Sequence, residues 1–168
     1  MASGELLTRE EHRKLIENVA NAFESVKSDV NKEWRQQSGE GGLPPVVGLL
    51  VFGSVGAGVD DINPPRTRSD VDATPLIRTR FEGEENVWTR KVSIGLEKKL
   101  GRSLIADMAS FGILDKEDEL DGVIYEVQDE GKHLPVTLIY ELGSGIDNLL
   151  ERIAISYGIG LHSIPIRV

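Results

Sequence analysis

Two aspartates one residue apart, Asp70 and Asp72, are the residues of this chain whose types and spacing best suit chemistry. They begin an apolar segment, and on an extended segment their side chains point to the same side because side chains alternate across a strand. Two carboxylates held so close repel each other unless a positive charge neutralises them, and a hard divalent cation with oxygen ligands is the usual partner. The pair therefore indicates a metal site.

A glycine–serine pair, Gly53-Ser54, ends the apolar run that precedes the two aspartates. Such a turn can bring backbone N–H groups and a hydroxyl close to a phosphate, because glycine carries no side chain that would hold the phosphate away. A phosphate-binding turn followed by paired metal carboxylates predicts metal-assisted phosphoryl or nucleotidyl transfer.

The order FGSVGAG, a loop and SDVD resembles the nucleotidyltransferase superfamily that includes DNA polymerase beta, and especially its minimal members. In that family a strand ends in F-G-S, a glycine follows in the turn, and S-D-x-D opens the next strand. The positions of this chain that fall on the pattern are Phe52, Gly53, Ser54, Gly58, Ser69, Asp70 and Asp72. The family also has a third carboxylate on another strand after a helix, and Asp107, which follows Leu100-Gly101-Arg102, takes that place. The resemblance covers residues 46 to 110.

The resemblance implies that Asp70, Asp72 and Asp107 are catalytic and bind two Mg²⁺ (or Mn²⁺) ions. Glu126 and Glu141 are the alternatives for the third ligand. Four residues of the motifs are expected to contact the phosphates of a nucleoside triphosphate, with ATP as the expected nucleotide: Gly53, Ser54, Gly58 and Ser69. An acceptor hydroxyl would then attack the α-phosphorus and release pyrophosphate. The acceptor is a small molecule of the aminoglycoside type or a partner protein, since minimal members of the family often serve as antitoxins.

The turn departs from the family pattern in its charge. Val55 and Ala57 are apolar where the family often has basic residues that hold the triphosphate. Arg66 and Arg68, in the long loop 55–69, are candidates to supply that charge to the nucleotide. The departure favours a second hypothesis, in which a degraded nucleotidyltransferase fold acts as a protein-interaction module or antitoxin. Nucleotide binding for sensing alone is a third hypothesis.

The composition limits the class of partner. The net charge of −9, from 28 acidic and 19 basic residues, repels a phosphate backbone, so a broad nucleic-acid surface is not expected. No apolar run approaches the ~18 residues that a membrane span requires. The absence of cysteine excludes thiolate metal sites and thiol nucleophiles. Together with a polar, acidic start of the chain, this predicts a cytoplasmic protein, whose further partner is a second copy of the chain or a toxin.

A long first helix is expected to cover one face of the sheet. Thr8 and Glu11 form the capping-box pattern at its start, and apolar residues then recur at steps of three and four up to its end near Ser38-Gly39. His12 lies on this helix without a second histidine at metal-ligand spacing, so a zinc site is not expected.

The strands that carry the motifs are expected to follow it. Residues 46–52 are apolar almost throughout, as in a central strand buried on both faces. Residues 71–77 form the next strand, in which Pro75 predicts an edge position or a bulge, because proline cannot donate to a sheet ladder. Thr137 is expected to be an ordinary β-branched strand residue.

The rest of the chain is expected to form, in order, a helix over 84–100, an acidic loop or short helix over 115–121, a hairpin of strands 123–127 and 135–140, a helix over 146–155, and a loose strand or partner-binding tail over 157–168. We therefore expect an α/β (α+β) fold, a mixed β-sheet with flanking helices. As one nucleotidyltransferase-like domain over 1–168, it would comprise an N-terminal helix (1–38), a catalytic core (46–110) and a C-terminal hairpin, helix and tail (111–168).

Overall fold

A computed structural model describes residues 4–38, 44–56, 64–79, 84–105, 111–116, 119–124, 135–141 and 160–166. These residues form, in chain order, α1 (Arg9–Ser38), β1 (Val46–Phe52), α2 (Gly53–Gly56), β2 (Val71–Thr79), α3 (Glu84–Leu100), β3 (Leu104–Ile105), β4 (Phe111–Lys116), β5 (Glu119–Ile124), β6 (Pro135–Glu141) and β7 (Gly160–Ile166). The expected α+β architecture, a mixed sheet with flanking helices and a long N-terminal helix, is confirmed.

Helix α1 begins at the predicted capping box. The N–H of Thr8 donates to Oε1 of Glu11 (3.0 Å), and the N–H of Glu11 donates to Oγ1 of Thr8 (3.2 Å). Hydrogen bonds from the Thr8 backbone, and then from its side chain, hold the pKa of Glu11 below its ordinary value. At the far end, the side-chain amide of Asn31 bonds to both the N–H and the carbonyl of Val46, each at 3.0 Å. The Asn31 bonds hold α1 against the start of β1.

The sheet is mixed, and β1 and β2 lie at its centre. The strand order is β5-β4-β2-β1-β6-β7, with β3 paired to the first part of β2. β1 is antiparallel to both β2 and β6, whereas β2 is parallel to β3 and β4, and β6 is parallel to β7. Residues 46–51 are all buried, as expected for a central strand.

Helices α1 and α3 cover one face of this sheet. Their apolar side chains share a core with alternate residues of the central strands, including Leu49 and Val51 of β1 and Val71 and Ala73 of β2. Side chains alternate across a strand, so Asp72 points to the opposite face. No helix among the described residues is long and apolar enough to cross a lipid bilayer.

Pro75 is not on an edge strand, because β2 lies between β1 and β4. The irregularity in the β1–β2 ladder falls between Val46 and Gly48 and so lies beside Pro75 rather than at it. On the other side of β2, described pairing with β3 ends at Asp72 and pairing with β4 begins at Ile77. No described pair on that side includes Pro75.

Two expectations for the second half are wrong. The described residues of 115–121 lie in strands rather than in an acidic loop or a helix. Residues 115–116 end β4 and 119–121 begin β5, and the two strands pair antiparallel with Lys116 opposite Glu119. The predicted hairpin of 123–127 and 135–140 does not form, because β5 and β6 lie on opposite sides of the central strands. Charges suit β5 because an edge strand is protected from further pairing by charged residues.

The final strand confirms one of the two alternatives for the end of the chain. β7 runs parallel to β6, so this segment is a strand of the sheet. The predicted helix over 146–155 lies outside the described residues.

Candidate functional site

The paired aspartates lie at the end of the sheet where β1 stops and β2 starts. Asp72 is partly buried and pairs in register with Phe52, the last residue of β1, while Asp70 is exposed just before β2. Burial, and then repulsion by the Asp70 carboxylate, raises the pKa of Asp72. Within the described residues, no lysine, arginine or histidine forms an ion pair with either aspartate. Repulsion by Asp70 therefore acts on the Asp72 carboxylate, and no described ion pair offsets it.

The glycine–serine turn packs directly against Asp72. Gly53, the first residue of α2, has φ 63°, in the left-handed region that favours glycine. A Cβ atom built at Gly53 would collide with Oδ2 of Asp72. Ser54, the next residue, is partly buried. The fold thus brings together two motifs that the long loop separates in sequence.

The turn is held from two sides by His12 and Thr137, for which the sequence predicted no role in the site. Nε2 of His12 lies 2.8 Å from the carbonyl oxygen of Val55, and Oγ1 of Thr137 donates to the carbonyl of Gly56 at 2.7 Å. His12 and Thr137 are each 2% exposed, so these bonds are sheltered from water. Because a carbonyl only accepts hydrogen bonds, Nε2 of His12 carries the hydrogen. Thr137 is therefore more than the ordinary strand residue that its sequence context predicted.

Val55 has a structural reason to be apolar. It is 1% exposed and belongs to the core beneath α1. A basic side chain at this position could not remain in that core without a partner. The apolar residue is therefore explained by packing.

The loop before Asp70 is held by the first residues of the chain. The N–H of Leu7 donates to the carbonyl of Pro65, and the N–H of Thr67 donates to the carbonyl of Glu5, both at 2.9 Å. The loop then forms a turn between Arg66 and Ser69. The buried Ser69 hydroxyl accepts the N–H of Arg66 (2.7 Å), and the N–H of Ser69 donates to the carbonyl of Arg66 (3.0 Å). The Ser69 hydroxyl, a predicted phosphate contact, thus completes the turn that presents the aspartates.

Arg66 and Arg68, the predicted site arginines, are placed differently from Arg102, which was not predicted as a site residue. Nη1 of Arg66 donates to the carbonyl of Gly4 (3.0 Å), and Arg66 and Arg68 are both exposed. Arg102 is partly buried, and its Nη1 donates to the carbonyl of Ser69 (2.9 Å). Arg102 is therefore the described cation that contacts the backbone next to Asp70. Its position in the Leu100-Gly101-Arg102 tripeptide was a signal that could have marked it.

The third carboxylate falls on a part of the chain that is not described. Asp107, like Gly58 and Glu126, lies outside the described residues. The segment before Asp107, β3, runs parallel to β2 with Ile105 in register with Asp72. Within the described residues, no group of three or more histidines, aspartates or glutamates could hold a metal ion.

Glu141, the described alternative for the third ligand, is placed away from the aspartates. Tyr140 pairs with Gly48 near the start of β1, whereas Asp72 pairs with Phe52 at its end. Glu141 forms an ion pair with the buried Lys27 (3.1 Å). It is therefore not a ligand of a site at Asp70 and Asp72.

A groove of about 780 Å³ opens between α1 and the end of α3. Its lining includes polar side chains such as Asn18, Asn21 and Lys99, together with Arg102, but neither aspartate and no residue of α2. The groove is therefore separate from the aspartates, although Arg102, which lines it, also donates to the Ser69 carbonyl next to Asp70.

Comparison with protein-family models, with curated proteins and with solved structures finds no match to this chain.

Proposed function

We propose that the chain is a metal-dependent nucleotidyltransferase that moves a nucleoside monophosphate from a nucleoside triphosphate to an acceptor hydroxyl. ATP is the expected nucleotide. The observation that carries the proposal is the contact of the Gly53 turn with Asp72, beside Asp70. A phosphate-binding turn and a pair of carboxylates at one end of a sheet are the two parts that this chemistry requires. The acceptor is a small molecule or a partner protein.

The donor set fits Mg²⁺ or Mn²⁺. Both ions prefer carboxylate oxygen ligands, and an approaching cation would relieve the repulsion that helps raise the pKa of Asp72. Asp70 and Asp72 would hold the metal, with Asp107 as the proposed third ligand. When bound, the metal would neutralise the charge that spreads over the triphosphate.

The chain's own groups have distinct roles in the proposed reaction. The absence of a side chain at Gly53 lets the Asp72 carboxylate lie against the turn, and Ser54 donates its hydroxyl to a phosphate oxygen. The acceptor oxygen forms a bond to the α-phosphorus as the bond from that phosphorus to the bridging oxygen of pyrophosphate breaks. The acceptor's proton passes to a carboxylate of the site, for which Asp107 is the proposed group. Arg102 holds the loop before Asp70 through the Ser69 carbonyl.

Calorimetric titration with ATP, with and without Mg²⁺, tests the proposal. We expect Mg²⁺-dependent binding in the micromolar to millimolar range, and its loss in Asp72→Asn, because the substitution removes a metal ligand of the proposed site. Asp29→Asn, an exposed aspartate on α1, is the matched control and should bind like the wild type. No Mg²⁺-dependent binding by the wild type at millimolar ATP would contradict the proposal.

A second candidate is a nucleotidyltransferase-like protein-interaction module or antitoxin without catalysis. The observation that favours it is the engagement of the predicted Arg66 guanidinium with the carbonyl of Gly4. Absent Mg²⁺-dependent ATP binding would support this module. Binding without pyrophosphate release in the presence of candidate acceptors would instead support nucleotide sensing.

A further inference from the structure

The first described residues of the chain contact both parts of the candidate site. Residues 4–12 are here named the N-terminal clasp. Its main chain pairs with residues 65–67 through two hydrogen bonds of 2.9 Å, and the carbonyl of Gly4 also accepts from Nη1 of Arg66. These contacts come just before the turn that presents Asp70. The clasp therefore holds the approach to the aspartates.

The other end of the clasp holds the glycine–serine turn. His12 lies one helical turn after Thr8, and its N–H donates to the Thr8 carbonyl (2.8 Å). The capping box therefore determines where His12 stands, and from there its Nε2 reaches the carbonyl of Val55. A buried carbonyl that loses its donor costs more than an exposed one, since water does not replace the bond. The turn therefore depends on α1 beginning at this position.

We propose that the N-terminal clasp is a positioning device that couples the Gly53–Gly56 turn to the loop before Asp70. One short segment holds both, so residues that touch neither phosphate nor metal hold the turn against the loop, in addition to the pairing of Phe52 with Asp72. The inference rests on the proposed function for the meaning of the site. His12 is a positioning residue, because it holds the Gly53–Gly56 turn through the carbonyl of Val55.

The test compares two substitutions at His12 in the whole 168-residue chain. His12→Leu removes the donor and keeps apolar volume, whereas His12→Gln places an amide N–H at the same distance along the side chain as Nε2. Arg13→Leu, the exposed neighbour on α1, is the control for helix effects. Hydrogen exchange of the amides of 53–56 and Mg²⁺-dependent ATP affinity are both measured. Thermal unfolding checks that each variant folds.

We expect His12→Leu to speed exchange at 53–56 by about tenfold and to weaken ATP binding by about tenfold, the scale of one buried hydrogen bond. His12→Gln should restore both to within about threefold of the wild type, and Arg13→Leu should change neither. Rescue by glutamine distinguishes the effect of the hydrogen bond from the effect of side-chain packing at position 12.

Unchanged exchange at 53–56 in a folded His12→Leu variant would overturn the proposal. Faster exchange in that variant, with no Mg²⁺-dependent ATP binding by the wild type, would support the clasp and contradict the proposed function. If His12→Leu does not fold, Arg66→Ala tests the other end, because Arg66 is exposed. Faster exchange of the Thr67 amide, which bonds to the Glu5 carbonyl, would support the clasp, and unchanged exchange there would overturn it.

Discussion

Two carboxylates of this chain stand in opposite surroundings. At the start of α1, Glu11 accepts a hydrogen bond from the Thr8 backbone, and its pKa is lowered. At the start of β2, Asp72 is partly buried beside the like-charged Asp70, and its pKa is raised. The fold therefore stabilises the charge of the first carboxylate and opposes the charge of the second. A charge retained against the stability of the fold is typical of a functional site.

The largest expected effect comes from adding a methyl group at Gly53. Gly53→Ala places a methyl group in the left-handed region, which costs about 1–2 kcal/mol, and also drives it into Oδ2 of Asp72. We expect the free energy of unfolding to fall by roughly 2–3 kcal/mol and Mg²⁺-dependent ATP binding to be lost. Urea unfolding and calorimetry measure the two effects.

The chain offers a matched control for that substitution. Gly101, just after α3, has φ 62°, nearly that of Gly53, but a Cβ built there meets nothing within 4 Å among the described residues. Gly101→Ala should therefore show the backbone cost alone, about 1–2 kcal/mol, with ATP binding unchanged. Equal losses of stability in the two variants would mean that Asp72 does not press on the turn.

The next effect has the opposite sign. Asp72→Asn removes a charge that burial and Asp70 oppose, so we expect the metal-free protein to gain about 1 kcal/mol, or roughly 2–4 °C in Tm for a chain of this length. The gain should accompany the loss of ATP binding. Differential scanning calorimetry at neutral pH measures it.

The pH dependence of that gain follows from the raised pKa of Asp72. The folded state binds the Asp72 proton more tightly than the unfolded state does, and the pKa of Asp72 in the unfolded state is about 3.8. Wild-type stability should therefore fall as pH rises from about 3.8 through the folded pKa, and the advantage of the variant should grow over that window. An advantage that is constant across the window would show that charge is not its cause.

Local sequence signals predicted the elements, and long-range contacts determined how they are used. The capping box at Thr8, the buried strand β1 and the end of α3 at Gly101 depend on neighbouring residues, and each was predicted. His12 and Thr137 are far in sequence from the turn that they hold, so neither spacing nor composition could show their bonds.

The errors in the second half have the same origin. The pattern of residues 115–121 is acidic, which is as compatible with an edge strand as with a loop. The choice of partner for β6 depended on the central strand β1 and not on the nearest strand in sequence. Pairing partners are tertiary information that a local pattern does not contain.

The smallest effect should come from the carboxylate that the fold already stabilises. Glu11→Gln keeps a side-chain oxygen that can accept the Thr8 N–H but removes its charge, so stability at neutral pH should fall slightly. Because the pKa of Glu11 is lowered in the folded state, its contribution is present above the unfolded value of about 4.5 and is lost as pH falls through the folded pKa. On acidification the difference in stability between wild type and Glu11→Gln should therefore shrink because the wild type loses stability. The difference between wild type and Asp72→Asn should shrink because the wild type gains stability. Parallel Tm-against-pH curves for the two variants and the wild type measure both. If both variants moved stability in the same direction at neutral pH, the contrast between the stabilised charge of Glu11 and the opposed charge of Asp72 would be wrong.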